Sequence, residues 1–125
     1  MMQQLCDKVG PLYQPEKIRR LHGDCHIGNL LWHNDRPLLL DFDDSRNGPA
    51  VQDLWLLLNG DRAEQTYQLS LLLEEYEQYC DFDHKELRFI DPLRAMRILS
   101  YMAWIAKRWT DPAFVQNFPW FNTDQ

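Results

Sequence analysis

Long apolar runs are missing from this sequence. No stretch approaches the roughly twenty consecutive apolar residues of a membrane-spanning helix, and the amino-terminal MMQQLCDKVG has no signal-peptide pattern. Cysteine is scarce: Cys6, Cys25 and Cys80 form an odd set without framework spacing. Such thiols are expected to stay reduced, which places the protein in the cytoplasm. Positive charge is short as well. Thirteen Lys and Arg against 19 Asp and Glu leave a net charge of −6, the wrong sign for a nucleic-acid partner. Internal repeats, linkers and low-complexity segments are absent. What remains is a chain of 125 residues with five tryptophans and 13% aromatic content. That is enough for one domain with a modest core, and it is not the composition of a disordered chain.

The chain is organised around His22 to Asp44, HGDCHIGNLLWHNDRPLLLDFDD. Two short apolar runs, Leu30-Leu31-Trp32 and Leu38-Leu39-Leu40, flank the turn composition His33-Asn34-Asp35-Arg36. The pattern predicts a β-hairpin. Centred on Asp35, it sets Leu31 against Leu39, Leu30 against Leu40 and Asn29 against Asp41, at about 4.5–5.5 Å. Asp24 lies in the loop that feeds the first strand. An amide oxygen and two carboxylates then converge at one end of the ribbon. Such hard oxygen donors suit Mg²⁺, which takes few protein oxygens and leaves the rest of its shell to water and phosphates. A carboxylate not tied to the metal can accept a proton from an attacking hydroxyl. Phosphoryl transfer requires that pairing. The negative net charge is no obstacle to an anionic nucleotide, because the metal supplies positive charge locally.

The motif H-G-D-x-x-x-x-N, a short hairpin and D-F-D resembles the catalytic segment of the aminoglycoside phosphotransferase and choline kinase group, relatives of the protein kinases with their H-R-D-x-x-x-x-N and D-F-G. The likeness runs from about Leu21 to Trp120 and includes DFDDSRNGPAVQDLW, LLNGD, PLRAMR and DPAFVQNFPW. It implies an α+β fold: a mostly helical, kinase-like carboxy-terminal lobe with a small catalytic hairpin. It implies an ATP- and Mg²⁺-dependent phosphotransferase, in the first instance a protein serine/threonine kinase, monomeric in its full-length form. A kinase for small alcohols such as an aminoglycoside, choline or homoserine is the alternative. By the same resemblance Asp24 is the catalytic base, Asn29 and Asp41 hold the metal, with Asp41 also serving catalysis, and Asp53 points back to brace the His22–Asp24 loop. The bland reading of Asp53 is an exposed first-turn acid favoured by the helix dipole. Two departures stand out. Gly23 replaces the arginine of the protein-kinase loop, and Asp43 replaces the glycine of D-F-G.

The small lobe of such a kinase needs a glycine-rich phosphate loop, a strand lysine and a helix glutamate. Before Gly23 the one glycine is Gly10, and Lys8 and Lys17 sit in no strand-like context. The sequence therefore reads as one partial domain, the large lobe of a longer protein in which Asp124-Gln125 is not the natural end. A short homologue is the alternative. Alone, the piece is expected to be inactive.

Around this centre the pattern predicts a helix over Met1–Val9 stopped by Gly10-Pro11, and a strand over Lys17–Leu21. Ser45 to Pro49 reads as a turn cluster, with Pro49 starting a helix that carries Val51, Leu54, Trp55 and Leu58 and stops at Asn59-Gly60. A second helix is expected over Ala63–Cys80, with Glu74, Glu75 and Glu77 on its solvated face. Asp83 and Glu86 suggest a capping box. Asp91-Pro92 opens a long helix to about Trp109, apolar over much of its circumference and expected to be largely buried. Its Arg94 and Arg97 are surface or ion-pairing arginines, or one of them pairs with an acid near the site. The aromatic tail Asp111–Phe121 reads as a non-helical loop, either a lid on the core or an acceptor-binding surface.

Other chemistries compete for the central stretch. His22, Asp24, Cys25, His26 and His33 are potential zinc ligands, but their spacing lacks the usual pairs, and adjacent Cys25 and His26 point apart in an extended segment. Cys25 as a nucleophile is disfavoured because Asp24 should raise its thiol pKa. His22 is expected to be structural, its ring bonding backbone near Asp41, and His26 to approach phosphate. A non-catalytic, pseudokinase-like interaction module is the reading of another class.

Overall fold

A two-residue turn sets the geometry of the central stretch. In the computed structural model, which describes residues 3, 4, 7 and 17–118, Asn34 and Asp35 both take left-handed backbone, with φ of 50° and 59°. Two successive residues of that kind make the tight hairpin turn that matches strand twist, and Asn and Asp tolerate it. Strand β1 is Arg19–Leu21, β2 Leu30–His33 and β3 Arg36–Leu39. The pairing of β2 with β3 sets Leu30 opposite Leu39, Leu31 opposite Leu38, Trp32 opposite Pro37 and His33 opposite Arg36. The hairpin is therefore as expected, but its register is one residue off the expected one. The two-residue turn lies between Asn34 and Asp35, not on Asp35. Asn29 accepts at its carbonyl from Leu40 N, at 2.9 Å, so Asp41 lies one residue beyond the pair and does not face Asn29.

Residues expected as a turn cluster instead supply β4, Arg46–Gly48, antiparallel to β1 with Arg20 opposite Asn47. The two-stranded ribbon β1–β4 holds the loop that leaves β1 at Leu21. Pro49 precedes helix α1, Val51–Leu54, which tightens into a 3₁₀ turn over Trp55–Leu57. The chain then turns at Gly60, whose φ is +81°. Asp61 caps helix α2, Arg62–Tyr76, in a reciprocal capping box with Glu64. That helix ends short of the expected Cys80, because successive turns take over, Cys80 N still bonding to Tyr76 O at 3.0 Å.

Asp83 caps a 3₁₀ segment, His84–Phe89, by accepting from Lys85 N. Glu86 does not complete a box there. Its carboxylate turns inward and accepts from Val51 N at 3.0 Å, at the start of α1. The 3₁₀ segment runs straight into helix α3, Ile90–Arg108, so Asp91 sits in the first turn instead of capping it. A short helix α4, Pro112–Asn117, occupies the stretch expected to be irregular. Pro112 suits the first helical position. Phe114 and Phe118 from this region pack on Trp104, with centroids 5.2 and 6.4 Å away. The rest of the tail, and nearly all of the helix expected over Met1–Val9, lie outside the described residues.

The core gathers Ala50, Val51 and Leu54 with Leu73, Phe82 and Phe89, flanked by Leu69, Leu87 and Leu93. It joins α1, α2 and the 3₁₀ segment to the start of α3. Farther along, α3 is not largely buried. Of its side chains Ile105 is fully enclosed, while Ile98, Tyr101, Met102 and Trp104 are about half exposed. Apolar composition drives burial only where a facing layer exists, and among the described residues that face is covered only in part, by Phe114 and Phe118. The architecture is α+β, mostly helical, with two small antiparallel ribbons.

Candidate active site

Asp24 is carried by a loop fixed from two sides. Asp53, in the first turn of α1, reaches back and accepts from His22 N at 2.7 Å and from Gly23 N at 2.9 Å. The bracing reading of Asp53 holds. From the hairpin side, His22 Nε2 meets Leu40 O at 2.7 Å, the backbone contact near Asp41 expected of it. Asp24 N donates to His22 Nδ1 at 3.4 Å, so the proton of a neutral ring belongs on Nε2. The ring also lies against Phe42, with centroids 4.7 Å apart. His22 thereby ties the loop to the segment that bears Asp41.

Gly23 has a local reason to be glycine. Its φ is +89°, and a Cβ there would stand 2.1 Å from Asp44 O. The position that differs from the protein-kinase loop is thus filled by the residue that its backbone and close neighbour demand.

Three side chains meet at Asp24. Arg97 Nη1 donates to Oδ1 at 2.8 Å. Asn29 Nδ2 donates to the Asp24 carbonyl at 3.0 Å and, more loosely, to Oδ2 at 3.4 Å. His26 Nε2 stands 3.3 Å from Oδ2, while its Nδ1 accepts from Gly28 N at 3.0 Å. Burial alone would raise the Asp24 pKa, but the bond and charge of Arg97, with help from His26, outweigh it and hold the carboxyl below its ordinary value. Asp24 is accordingly an ionised, oriented acceptor. Of Arg94 and Arg97 on α3, Arg97 is the one that pairs with the acid. Arg94 bonds to Gln65 Oε1 at 2.7 Å.

Asp24 and Asn29 are brought into direct contact, and Asp41 follows the residue whose N–H pairs with the Asn29 carbonyl. Asp41 has a φ of +60°. Left-handed backbone costs a non-glycine residue roughly 1–2 kcal/mol, and such strain gathers at sites where it re-aims a side chain. Asp41 is exposed, and its carboxylate makes no hydrogen bond or ion pair among the described residues.

The groups considered as zinc ligands are dispersed. Cys25 is buried, His22 is spent on Leu40, and His33 Nε2 lies 3.1 Å from Asn34 Nδ2. Among the described residues no three of His, Cys, Asp and Glu converge. The Cys25 thiol is pushed up to about 11, by burial first and then by the charges of Asp53 and Asp24, which is the opposite of an activated nucleophile.

Beside Asp24 opens a cleft of about 860 Å³, lined by Gly23, Arg46, Trp55, Arg97, Tyr101 and Trp104 among others. Sequence reasoning missed Arg46 altogether. Its Nη2 lies 3.5 Å from Gly23 O, a contact across the β1–β4 ribbon that no local pattern announces.

Residues 4–90, well over half of the chain, match the phosphotransferase enzyme family. The chain belongs to that family, and its fold is that of the carboxy-terminal lobe of a kinase-like phosphotransferase. Among proteins it resembles, it is 60% identical over 103 residues to Stress response kinase A of Escherichia coli (strain K12), covering 82% of this chain and 31% of that protein. It is 61% identical over 101 residues to Serine/threonine protein kinase RdoA of Salmonella typhimurium (strain LT2), covering 81% of this chain and 30% of that one. Stress response kinase A of Shigella flexneri is 57% identical over 103 residues, 82% and 31% of the two lengths. The chain thus spans about a third of the length of the curated relatives it matches. No helix among the described residues is long and apolar enough to cross a membrane.

Proposed function

We propose that this chain carries the base and metal-binding residues of an ATP-dependent kinase that phosphorylates serine or threonine hydroxyls on proteins. The observation that carries the reading is the Asp24 carboxylate, kept ionised by Arg97 and steadied by Asn29 beside an open cleft. The relatives' names, Stress response kinase A and Serine/threonine protein kinase RdoA, support it.

In this mechanism the acceptor hydroxyl enters from the cleft and donates its proton to Asp24 as its oxygen bonds to the γ-phosphorus of ATP, while the bond from that phosphorus to the β,γ-bridging oxygen breaks and ADP leaves. Asp24 is held in place by the Asp53 brace beneath its loop, so little reorganisation is needed at the moment of transfer. Asn29 and Asp41 would hold Mg²⁺, which when bound would neutralise charge on the phosphates. The donor set fits that ion. Asn29 commits its amide nitrogen to Asp24 and so leaves Oδ1 for a cation, and the Asp41 carboxylate is uncommitted. Two protein oxygens with phosphates and water completing the shell is the usual Mg²⁺ arrangement. Cys25 and His33 have no part in it.

The test is a radiolabelled-ATP assay on the full-length protein that carries this sequence, with a generic protein substrate and a panel of small alcohols offered side by side. Label on serine or threonine of the protein substrate is expected. Label on a small alcohol alone would move the acceptor class, and no transfer to any hydroxyl would overturn the reading.

A further inference from the structure

We infer that the cleft beside Asp24 seats a peptide segment whose serine or threonine is flanked by acidic side chains, and that Arg46 and Arg94 read that negative charge. The inference rests on the phosphotransferase reading above and adds the chemistry of the acceptor.

Position comes first. The cleft is lined by Gly23 and Asp24 but by neither Asn29 nor Asp41. It therefore adjoins the base without including the metal donors, as an acceptor seat should.

Charge comes next. The whole chain is at −6, yet the lining holds Arg46, Arg94 and Arg97 against Asp24 and Asp44. Arg97 is matched to Asp24. Arg46 is held mainly by neutral carbonyls, Asp44 O at 3.2 Å and Gly23 O at 3.5 Å, with the Asp44 carboxylate no nearer than 3.9 Å. The shortest bond of Arg94 goes to the neutral amide of Gln65, and its acidic neighbour Asp91, at 3.5 Å, is itself largely exposed. Two guanidinium groups whose main partners are neutral, both lining one cleft, present a fork geometry suited to carboxylates.

The remaining wall is aromatic. Tyr101 and Trp104 lie parallel with centroids 5.9 Å apart and an interplanar angle of 11°, and both are nearly half exposed. Beneath Arg94 lies Trp55, whose Nε1 is a buried donor with no acceptor among its neighbours. Aromatic faces beside arginines are the usual anchors for a bound peptide.

The experiment compares two fluorescently labelled peptides that differ only in having Glu or Gln around a central Ser. Anisotropy measures their binding to this chain, and kcat/KM measures their use by the full-length protein. The Glu peptide is expected to bind about tenfold more tightly, the scale of one charge-assisted contact. Arg46→Ala and Arg94→Ala should each reduce that preference, and the double variant should abolish it, while moving the KM for ATP less than about twofold. Arg46→Lys, which keeps the charge and spares the fold, should retain part of it. Equal binding of the Glu and Gln peptides, or arginine variants that weaken both alike, overturns the inference. A Glu preference in binding with no transfer to any hydroxyl overturns the phosphotransferase reading and leaves the acidic-peptide seat standing.

Discussion

Arg97 on α3 reaches Asp24 across 73 residues of chain and donates to its Oδ1 at 2.8 Å. The contact ties the long helix to the loop that carries Asp24 and lowers the pKa of that carboxyl. Burial pushes the Asp24 pKa up, and the arginine's bond and charge, aided by His26, more than reverse that. Arg97→Ala should leave the burial effect less opposed. The acid limb of the kcat/KM profile of the full-length protein is then expected to move to higher pH, with Arg97→Lys moving it less. An unshifted limb in the alanine variant would mean that Arg97 merely packs there.

Asp53 supports the same loop from below, by accepting from two backbone N–H groups. Hydrogen bonds to charged groups contribute about 1.5–3 kcal/mol each, so Asp53→Ala should lower unfolding stability by about 3–6 kcal/mol, with Asp53→Asn intermediate because an amide offers a single acceptor oxygen. Denaturant unfolding of this chain measures it. A loss within about 0.5 kcal/mol, typical of a surface site, would contradict the brace.

Glu86 is buried at 2% exposure against Val51 N. Burial, first among the causes, raises its pKa above the ordinary 4.5, the hydrogen bond from Val51 notwithstanding. In the window from that ordinary value up to the raised native one, the unfolded chain has given up its proton while the folded chain keeps it. The fold therefore loses stability as pH rises through this window. Asp24 has the opposite sign: its stabilisation is present above the ordinary 3.8 and is lost as pH falls through its depressed value. Glu86→Gln should flatten the upper window and leave the lower one intact. A thermal-melt series across pH in which the two proteins run parallel would contradict the assignment.

Sequence supplies neither a glycine-rich loop nor a strand lysine for the nucleotide ahead of Gly23. The isolated 125-residue chain is expected to show negligible ATPase or kinase activity, and robust turnover by it in a purified assay would contradict the view that it holds only part of the nucleotide site.

Local chemistry made the hairpin legible, and the resemblance carried the braced loop and the α+β class. Leu30-Leu31-Trp32 and Leu38-Leu39-Leu40 around a turn composition could be little else; Asp53 behaves as the resemblance implied, and His22 takes the structural role expected of it. The register slipped by one because both Asn34 and Asp35 take left-handed backbone, which composition alone does not fix. Strand β4 was hidden because Arg46-Asn47-Gly48 has turn chemistry, and its pairing with β1 is a long-range event. The capping box of Asp61 with Glu64 was visible in sequence and overlooked. The inward turn of Glu86, the choice of Arg97 over Arg94, and the place of Arg46 against Gly23 depend on packing between distant segments.

The central claim is that Asp24 takes the proton of the acceptor hydroxyl. Asp24→Asn in the full-length protein keeps the shape and removes the base. Phosphoryl transfer is expected to fall by about 10²- to 10⁴-fold, with ATP affinity changed less than twofold, by about the precision of a binding titration. An Asp24→Asn protein that phosphorylates its acceptor at an undiminished rate would contradict the account.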